Sequence, residues 1–368
     1  MMNSENYRRL RAFALPTVLV VSLLIQLLIM AAYFAFSLNV QRYSLYHRKK
    51  QLREDLKSAL VLYCADSTLC MAEDSVEINL FNRTDSVLVK VGRWGMYESV
   101  KLSNKYPDTY NVLVGRKSEN NAKAAFWLCD RNRALSLAGD AMIEGLVYMP
   151  LSGINYTEVC SKYYTGKPIA ENMLRVSTVD LPAVDSMQLK YARQLCNMNA
   201  SIVELSASVR DSIISGSTVR VKSGFKGSMQ IFASDTVIID DGAILEYPSG
   251  IYVDSGDRWP YVILKHGAEV NGYVIVISSN SDSQLRYPSY VQQSGAILNG
   301  LLYVNGSCSL NGVVRGAAYV KDCYYSFGEN IYAGQLFDTR IIRSDSLAFP
   351  IFMEGPYQRK AIKKVCQL

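Results

Sequence analysis

Histidine is scarce in this chain, and common catalytic motifs are missing from it. The 368 residues include two histidines, His47 and His266, and neither has a serine or cysteine partner at a recognised spacing. No G-x-S-x-G nucleophile elbow, phosphate-binding loop or dinucleotide-binding glycine motif occurs. We therefore interpret both histidines as structural, and the sequence predicts no catalytic residue, no cofactor and no metal site.

The eight cysteines contain no C-x-x-C pair, which argues against a zinc ribbon and against a thioredoxin-type redox site. Cys64 and Cys70 are the two that lie closest in the sequence. In an oxidising compartment they could close a small loop through a disulfide. Buried free thiols are the alternative, and the sequence leaves both open.

Acidic residues are concentrated in one stretch, at Asp235, Asp240, Asp241, Asp254 and Asp257. Such a group invites comparison with polysaccharide-active or calcium-binding β-helices. However, Asp-Asp-Gly and Asp-Ser-Gly-Asp are ordinary turn sequences in which carboxylates accept backbone N–H bonds, and the full calcium-loop spacing is absent. Turn structure is our preferred interpretation, and a carbohydrate-active or carbohydrate-binding protein remains an alternative.

Charge is absent from the 26 residues between Phe13 and Leu38. A bilayer core needs about 20 apolar residues in a helix, so this run is long enough to span it. A secretory signal peptide fits less well, because its apolar part would be only about 7–15 residues long. The sequence predicts a short basic tail at 1–12, a transmembrane helix at 13–38 and the lipid bilayer as a partner.

The helical pattern continues beyond the apolar run, since residues 39–63 contain no proline or glycine. An apolar stripe recurs there at helical spacing, at Leu45, Leu52, Leu56, Ala59, Leu60 and Tyr63. We predict one helix from Phe13 to Tyr63, about 75 Å long, whose outer part is a stalk. Gln26 is polar within the span and is a candidate for hydrogen bonding between helices during self-association.

The net charge of +6 is confined to the N-terminal part of the chain. Residues 1–62 hold nine Lys and Arg against three acidic residues, so the remaining residues sum to zero. A nucleic-acid-binding domain usually carries a basic footprint, which the large remainder lacks. Nucleic acid is therefore not an expected partner.

The basic residues at the two ends of the span give conflicting indications of its orientation in the membrane. Three Arg precede it, and five Lys or Arg follow it within about 15 residues, so the positive-inside rule would place the large domain in the cytoplasm. Against that count, the short tail with Arg8, Arg9 and Arg11 is typical of a signal anchor. We expect a single-pass protein of the bacterial inner membrane with its bulk in the periplasm.

After the stalk the pattern changes to short β-strands. Residues 64–135 are predicted to form a small β-rich head, with strands at Val76–Phe81, Val87–Val91, Met96–Leu102, Tyr110–Val114 and Ala124–Cys129. If the head packs on the helix, the stripe around Leu52–Leu60 would be buried.

Residues 136–345 repeat a theme of a short apolar pair, a Gly turn and an apolar strand. The echoes begin at Gly139, Gly267, Gly295 and Ser309, at irregular spacing. Short strands that recur without helices are typical of a β-solenoid, and a β-sandwich is the alternative. We predict a mainly β fold with an irregular β-solenoid, an insertion near 156–205 that includes a helix at Ala183–Cys196, and a C-terminal cap or tail at 346–368.

The N-terminal segment Arg11–Val21 resembles the start of type IV pilins and pseudopilins, in which a basic and a small residue precede Phe and an apolar helix. Pilins carry Gly where Ala12 stands and usually Glu where Thr17 stands. The resemblance covers residues 1 to about 130 and implies a filament-type assembly role. The absence of that Glu fits an accessory or tip subunit better than a major one. The absence of that Gly argues against processing by a prepilin peptidase.

The second half of the chain is similar in style to bactofilin-like β-solenoids. Together the two likenesses imply a non-enzymatic, membrane-anchored structural or assembly component of the bacterial envelope, with pseudopilin-like or self-assembly partners. Phe13, Thr17 and Gln26 are the expected assembly residues, and the corners Asn271-Gly272 and Asn299-Gly300 are expected to be important for the fold. A cytoplasmic, membrane-tethered bactofilin-like polymer is the remaining alternative.

Overall fold

The structure is a computed structural model that describes residues 5–65, 75–80, 86–104, 109–116, 124–198, 201–256, 259–278, 289–344, 346–353 and 362–367. It confirms a mainly β chain that follows one long apolar helix. That helix, α1, extends over Glu5–Ala65 without a break. The prediction of one helix that continues from the apolar run into the stalk is therefore confirmed.

Strands make up most of the rest. In the first half of the chain they are β1 (Ser75–Ile78), β2 (Val87–Trp94), β3 (Tyr97–Ser103), β4 (Thr109–Arg116), β5 (Ala124–Leu128), β6 (Leu135–Ala138), β7 (Met142–Glu144), β8 (Leu146–Met149), β9 (Ile154–Tyr156), β10 (Glu158–Val159), β11 (Lys162–Tyr163) and β12 (Leu174–Val176). A short 3₁₀ turn, Glu171–Met173, precedes β12, and helix α2 (Ser186–Cys196) follows it.

The second half adds β13 (Ile202–Leu205), β14 (Ser212–Val221), β15 (Lys226–Gly227), β16 (Met229–Ile239), β17 (Ile244–Asp254), β18 (Tyr261–Leu264), β19 (Glu269–Ile277), β20 (Tyr290–Gln292), β21 (Ile297–Leu310), β22 (Val313–Phe327), β23 (Asn330–Ala333), β24 (Gln335–Phe337), β25 (Arg340–Arg343) and β26 (Ile362–Gln367). The apolar strands of the echoes that begin at Gly267, Gly295 and Ser309 lie within β19, β21 and β22.

The head is an antiparallel sheet of five strands in the order β1-β2-β3-β4-β26. One face of this sheet packs on the end of α1, where Leu56, Ala59, Leu60 and Tyr63 are buried against strand valines such as Val89 and Val100. The head therefore buries the predicted stripe from Leu52 onward, because this is the point along α1 at which the head begins to cover the helix. Leu45, which also belonged to the predicted stripe, is exposed.

The last strand of the head comes from the C-terminus of the chain. Strand β26 pairs antiparallel with β4, with Lys364 beside Val114. Residues 346–368 were predicted to be a cap or tail. The structure instead places part of this segment in the head sheet, so the two ends of the body are joined in one layer.

The large sheet is a closed parallel β-barrel. Six parallel strands pair in the ring β16-β17-β19-β21-β20-β18, and β18 returns to β16. The ring closes because long strands turn a corner and pair with two neighbours. Strand β16 contacts β17 through Gln230–Ala233 and β18 through Thr236–Ile239. This arrangement corrects the predicted irregular β-solenoid, since the sheet closes on itself and does not form a clear open stack.

The echoes in the sequence are nevertheless aligned in space. Val270, Leu298, Val314 and Ile341 are successive in-register partners, and all are buried in one apolar core. Ile143, from the first echo, pairs beside Ile341 although it lies far away in the sequence. The N-terminal part of the body therefore joins the sheet next to the last strands, not next to the first ones.

Several strands therefore belong to a different part of the structure from the region in which the sequence placed them. Strand β5 falls within residues 64–135, which were predicted to be the head, but it pairs with β22 and β8 of the parallel sheet. Within the predicted insertion near 156–205, β12 and β13 lie at the two ends of the path of that sheet. Helix α2, capped by the Asp185 carboxylate on the Met187 and Gln188 N–H groups, begins close to the predicted position.

The Asn-Gly corners hold neighbouring strands at very close approach. Gly272, Gly300 and Gly316 are stacked in register, each with φ between +136° and +152°. A Cβ built on Gly300 would lie 1.8 Å from the Gly272 carbonyl oxygen. Beside them, the Asn299 amide donates to Asn271 Oδ1 at 2.7 Å and to Glu269 Oε1 at 3.1 Å. These corners require glycine for space as well as for backbone conformation.

Replacing Gly300 with alanine should therefore destabilise the barrel by about 3 kcal/mol or more, because the strands must separate to admit a methyl group. Gly92→Ala is the matched control, since its Cβ would make only an ordinary 3.7 Å contact with Ser99 O. Urea unfolding of the detergent-solubilised chain measures both. Equal midpoints for the two variants would contradict this account of the corners.

Candidate membrane and assembly site

The apolar half of α1 is not covered by the rest of the described chain. Side chains from Leu15 to Phe36 are exposed in every direction around the helix. Among the described residues this is the one helix long and apolar enough to cross a membrane, a property that a signal sequence shares. A helix that is apolar all round needs an apolar environment, which the described part of the chain does not provide.

The predicted assembly residues do not form one surface. Phe13 lies in α1, but its side chain is outside the described part, while Thr17 and Gln26 are both exposed. Because each residue turns the helix by about 100°, Thr17 and Gln26 lie on opposite sides of it. The structure therefore does not bring these residues together, and their role in assembly stays a prediction.

Between the apolar half of α1 and the part that the head buries lies a segment of the helix whose side chains are exposed to solvent. We call Asn39–Gln51 the collar; all its residues are exposed. It is about 20 Å long. Its aromatic residues include Tyr43, whose ring lies 4.2 Å from that of His47 in an edge-on arrangement. The collar separates the apolar part of α1 from the part buried by the head.

A buried carboxyl group fastens α1 to the head. The Tyr63 hydroxyl, on the last turns of α1, donates to Glu98 Oε2 at 2.7 Å. Burial raises the pKa of the Glu98 carboxyl, and this outweighs the Tyr63 hydrogen bond and the nearby Arg116 and Arg93, which lower it. Sequence reasoning missed Glu98. The signal that could have identified it is the alternation of side chains along β3, which places Glu98 on the same face as Val100 and Leu102, the residues that pack on α1.

Because the pKa of Glu98 is higher in the folded than in the unfolded chain, its contribution to stability is complete at low pH and is lost as pH rises through the folded value. Glu98→Gln keeps an acceptor for Tyr63 without the charge. We therefore expect a higher melting temperature than wild type at pH 7 and a difference that shrinks towards pH 4.

The control for this measurement is Glu329→Gln, because Glu329 is exposed at the tip of the β22–β23 hairpin. It should leave the melting temperature unchanged across the same pH range. Thermal unfolding curves of the three proteins between pH 4 and pH 8 decide the matter. A Glu98→Gln protein that is less stable than wild type at pH 7 would show that the charged form is favoured.

The head is joined to the barrel through aromatic side chains. Tyr97, on the face of β3 opposite to Glu98, lies 5.9 Å from the Tyr273 ring and 6.4 Å from the Tyr247 ring. Tyr273 donates in turn to the buried Gln230 side chain. Backbone bonds link Arg116 with Phe349 in both directions, at 2.8 and 2.9 Å. Head and barrel therefore share one buried layer.

Two of the five aspartates that suggested a carbohydrate or calcium site, Asp240 and Asp254, are engaged in ion pairs. Asp240 accepts from Arg220 Nε and from Lys265 Nζ, each at 2.7 Å, and the Arg220 hydrogen bond is the main cause that lowers its carboxyl pKa. Asp254 accepts from Arg193 Nε at 2.7 Å and from the Tyr252 hydroxyl. Asp257 lies outside the described residues. Both carboxylates are accounted for by structural contacts.

Histidine and cysteine contribute to local structure. His266 Nδ1 is 2.6 Å from the Ser294 carbonyl oxygen at a turn of the barrel. Cys64 is half-buried and forms no disulfide with another described residue, and Cys70 lies outside the described part, so their pairing stays a prediction. Among the described residues no group of three or more His, Cys, Asp or Glu is placed to hold a metal ion.

Comparison with known proteins identifies no family for this chain, because no protein-family model, no curated protein and no solved structure matches it.

Proposed function

We propose that this protein is a non-enzymatic structural or assembly component of the bacterial envelope, anchored in the inner membrane by α1, with pseudopilin-like subunits or further copies of itself as partners. The observation that carries the proposal is the division of α1 into two halves. The outer end is buried by an antiparallel head sheet, and the inner half presents an apolar surface with no cover from the described chain. A pilin-like subunit needs both features.

Further support comes from the body. The strands of the large parallel sheet are held in register, since Val270, Leu298, Val314 and Ile341 are successive partners. Such a body offers a rigid support on which a binding surface can be displayed. The ion pairs of Asp240 and Asp254 speak against a carbohydrate-active site at these residues.

Assembly through the span is tested by photo-crosslinking in cells. A photoreactive amino acid at Thr17 or at Gln26 samples the two opposite sides of α1, and the same group at the exposed Lys101 of the head is the control. We expect a discrete higher-mass adduct from at least one span position, because packed helices bring partner atoms within reach. Normal expression without an adduct at either position would contradict assembly through this helix.

The side of the membrane on which the body lies is tested by thiol labelling of intact spheroplasts. Cys308 is a poor reporter because it is fully buried, whereas Glu329→Cys places a thiol on an exposed turn. With a membrane-impermeant maleimide we expect Glu329→Cys to add one label and Ser4→Cys, in the N-terminal tail, to add none. The reverse result would place the body in the cytoplasm and favour the membrane-tethered polymer.

A further inference from the structure

The collar presents a basic and aromatic stripe along one side of α1. Arg42, Tyr46, Lys49 and Lys50 lie within an arc of about 100° around the helix axis. All four side chains are exposed, and Tyr46 is 64% exposed. The head does not reach them, since the buried part of α1 begins at Leu52.

Acidic residues are excluded from this part of the helix. From Asn39 to Arg53 the sequence contains five Lys and Arg and no Asp or Glu, and the first acidic residues are Glu54 and Asp55. A solvated helix usually intersperses charges of both signs, which form pairs at i,i+4 spacing. A concentration of positive charge next to an apolar span suits a partner whose negative charge is spread over a surface and is not confined to a single group.

The position of the stripe along the helix matches a membrane surface. Arg42 follows Leu38, the last residue of the uncharged apolar run, by about 6 Å, which is within the headgroup layer of about 5–7 Å. Tyr46 lies about 12 Å beyond Leu38, and Lys49 and Lys50 about 17 Å beyond it, so their Cα atoms are outside the headgroup layer. Helical side chains point towards the N-terminus, here back towards that layer, and a tilted helix brings them closer still. The field of a charged surface extends over about 8 Å at physiological salt, and tyrosine is enriched at membrane interfaces.

We propose that the stripe binds anionic phospholipid headgroups and so fixes the side on which α1 leans towards the membrane. This inference rests on the proposed membrane anchoring and adds the class of lipid that the protein selects. The ammonium and guanidinium groups pair with lipid phosphates, the apolar stems of the lysines lie along the interface, and the Tyr46 ring sits between them.

The test uses the full chain in nanodiscs that contain equal amounts of phosphatidylglycerol and phosphatidylcholine. Native mass spectrometry counts the lipids of each kind that stay bound after release. Wild type should retain phosphatidylglycerol in preference, and 0.5 M salt during equilibration should weaken this preference. The triple variant Arg42→Gln/Lys49→Gln/Lys50→Gln should reduce the preference by about tenfold, because each basic residue near the surface contributes separately.

The control Lys90→Gln/Lys101→Gln/Lys190→Gln removes the same charge from exposed positions on the head and α2. It should keep the wild-type preference. The inference is overturned if the collar variant retains phosphatidylglycerol as wild type does, or if the control loses it equally. Incorporation into nanodiscs without lipid preference overturns this inference alone, whereas failure to incorporate at all overturns the membrane anchoring with it.

Discussion

The contact between the outer end of α1 and the head sheet is the interaction on which the rest of the architecture depends. Leu56, Ala59, Leu60 and Tyr63 are buried there against the strands of the head. If this contact were absent, the helix would be a tether without a fixed direction. With it, the direction of α1 is set by a folded domain, and the apolar half must continue along the same axis. The helix α1 thus has an uncovered apolar half and an outer end that the head buries, and the short polar collar lies between them.

The head can orient the helix because it is itself held rigidly. Its β3 strand buries alternate residues in opposite directions, with Glu98, Val100 and Leu102 towards α1 and Tyr97 towards the barrel. The C-terminal strand β26 closes the far edge of the same sheet. Residues from both ends of the body therefore support the helix contact. Loosening the barrel at a corner such as Gly300 would affect the head through this shared layer.

Local patterns predicted much of this structure, and long-range pairing accounts for what they missed. The continuous helix, the stripe from Leu52 to Tyr63 and most strands follow from periodicity, which depends only on neighbouring residues. The placement of β5 beside β22 joins segments nearly 200 residues apart, and no local signal reports it. Closure of the ring depends on the pairing of β16 with β18, which the pattern within each strand does not specify either. Likewise, the partners of Asp240 and Asp254, Arg220 and Arg193, become apparent only once strands and α2 are placed. The role of Phe13, Thr17 and Gln26 in assembly stays a prediction for a related reason, since a contact with another chain cannot be seen in the fold of one chain.

Continuity of α1 through the collar is the central claim, because it links the apolar half of the helix to the head. Spin labels at Asn39→Cys and Val61→Cys, both exposed positions, enclose the whole collar and the buried stripe from Leu52 to Leu60. Cys64, Cys70, Cys160 and Cys366 are replaced by serine so that they do not react, and the remaining four cysteines are buried. Pulsed electron paramagnetic resonance on the reconstituted chain should give a narrow distance distribution near 33 Å, from about 1.5 Å per residue. A broad distribution, or one centred well below that distance, would show that the helix breaks in the collar and would contradict the account.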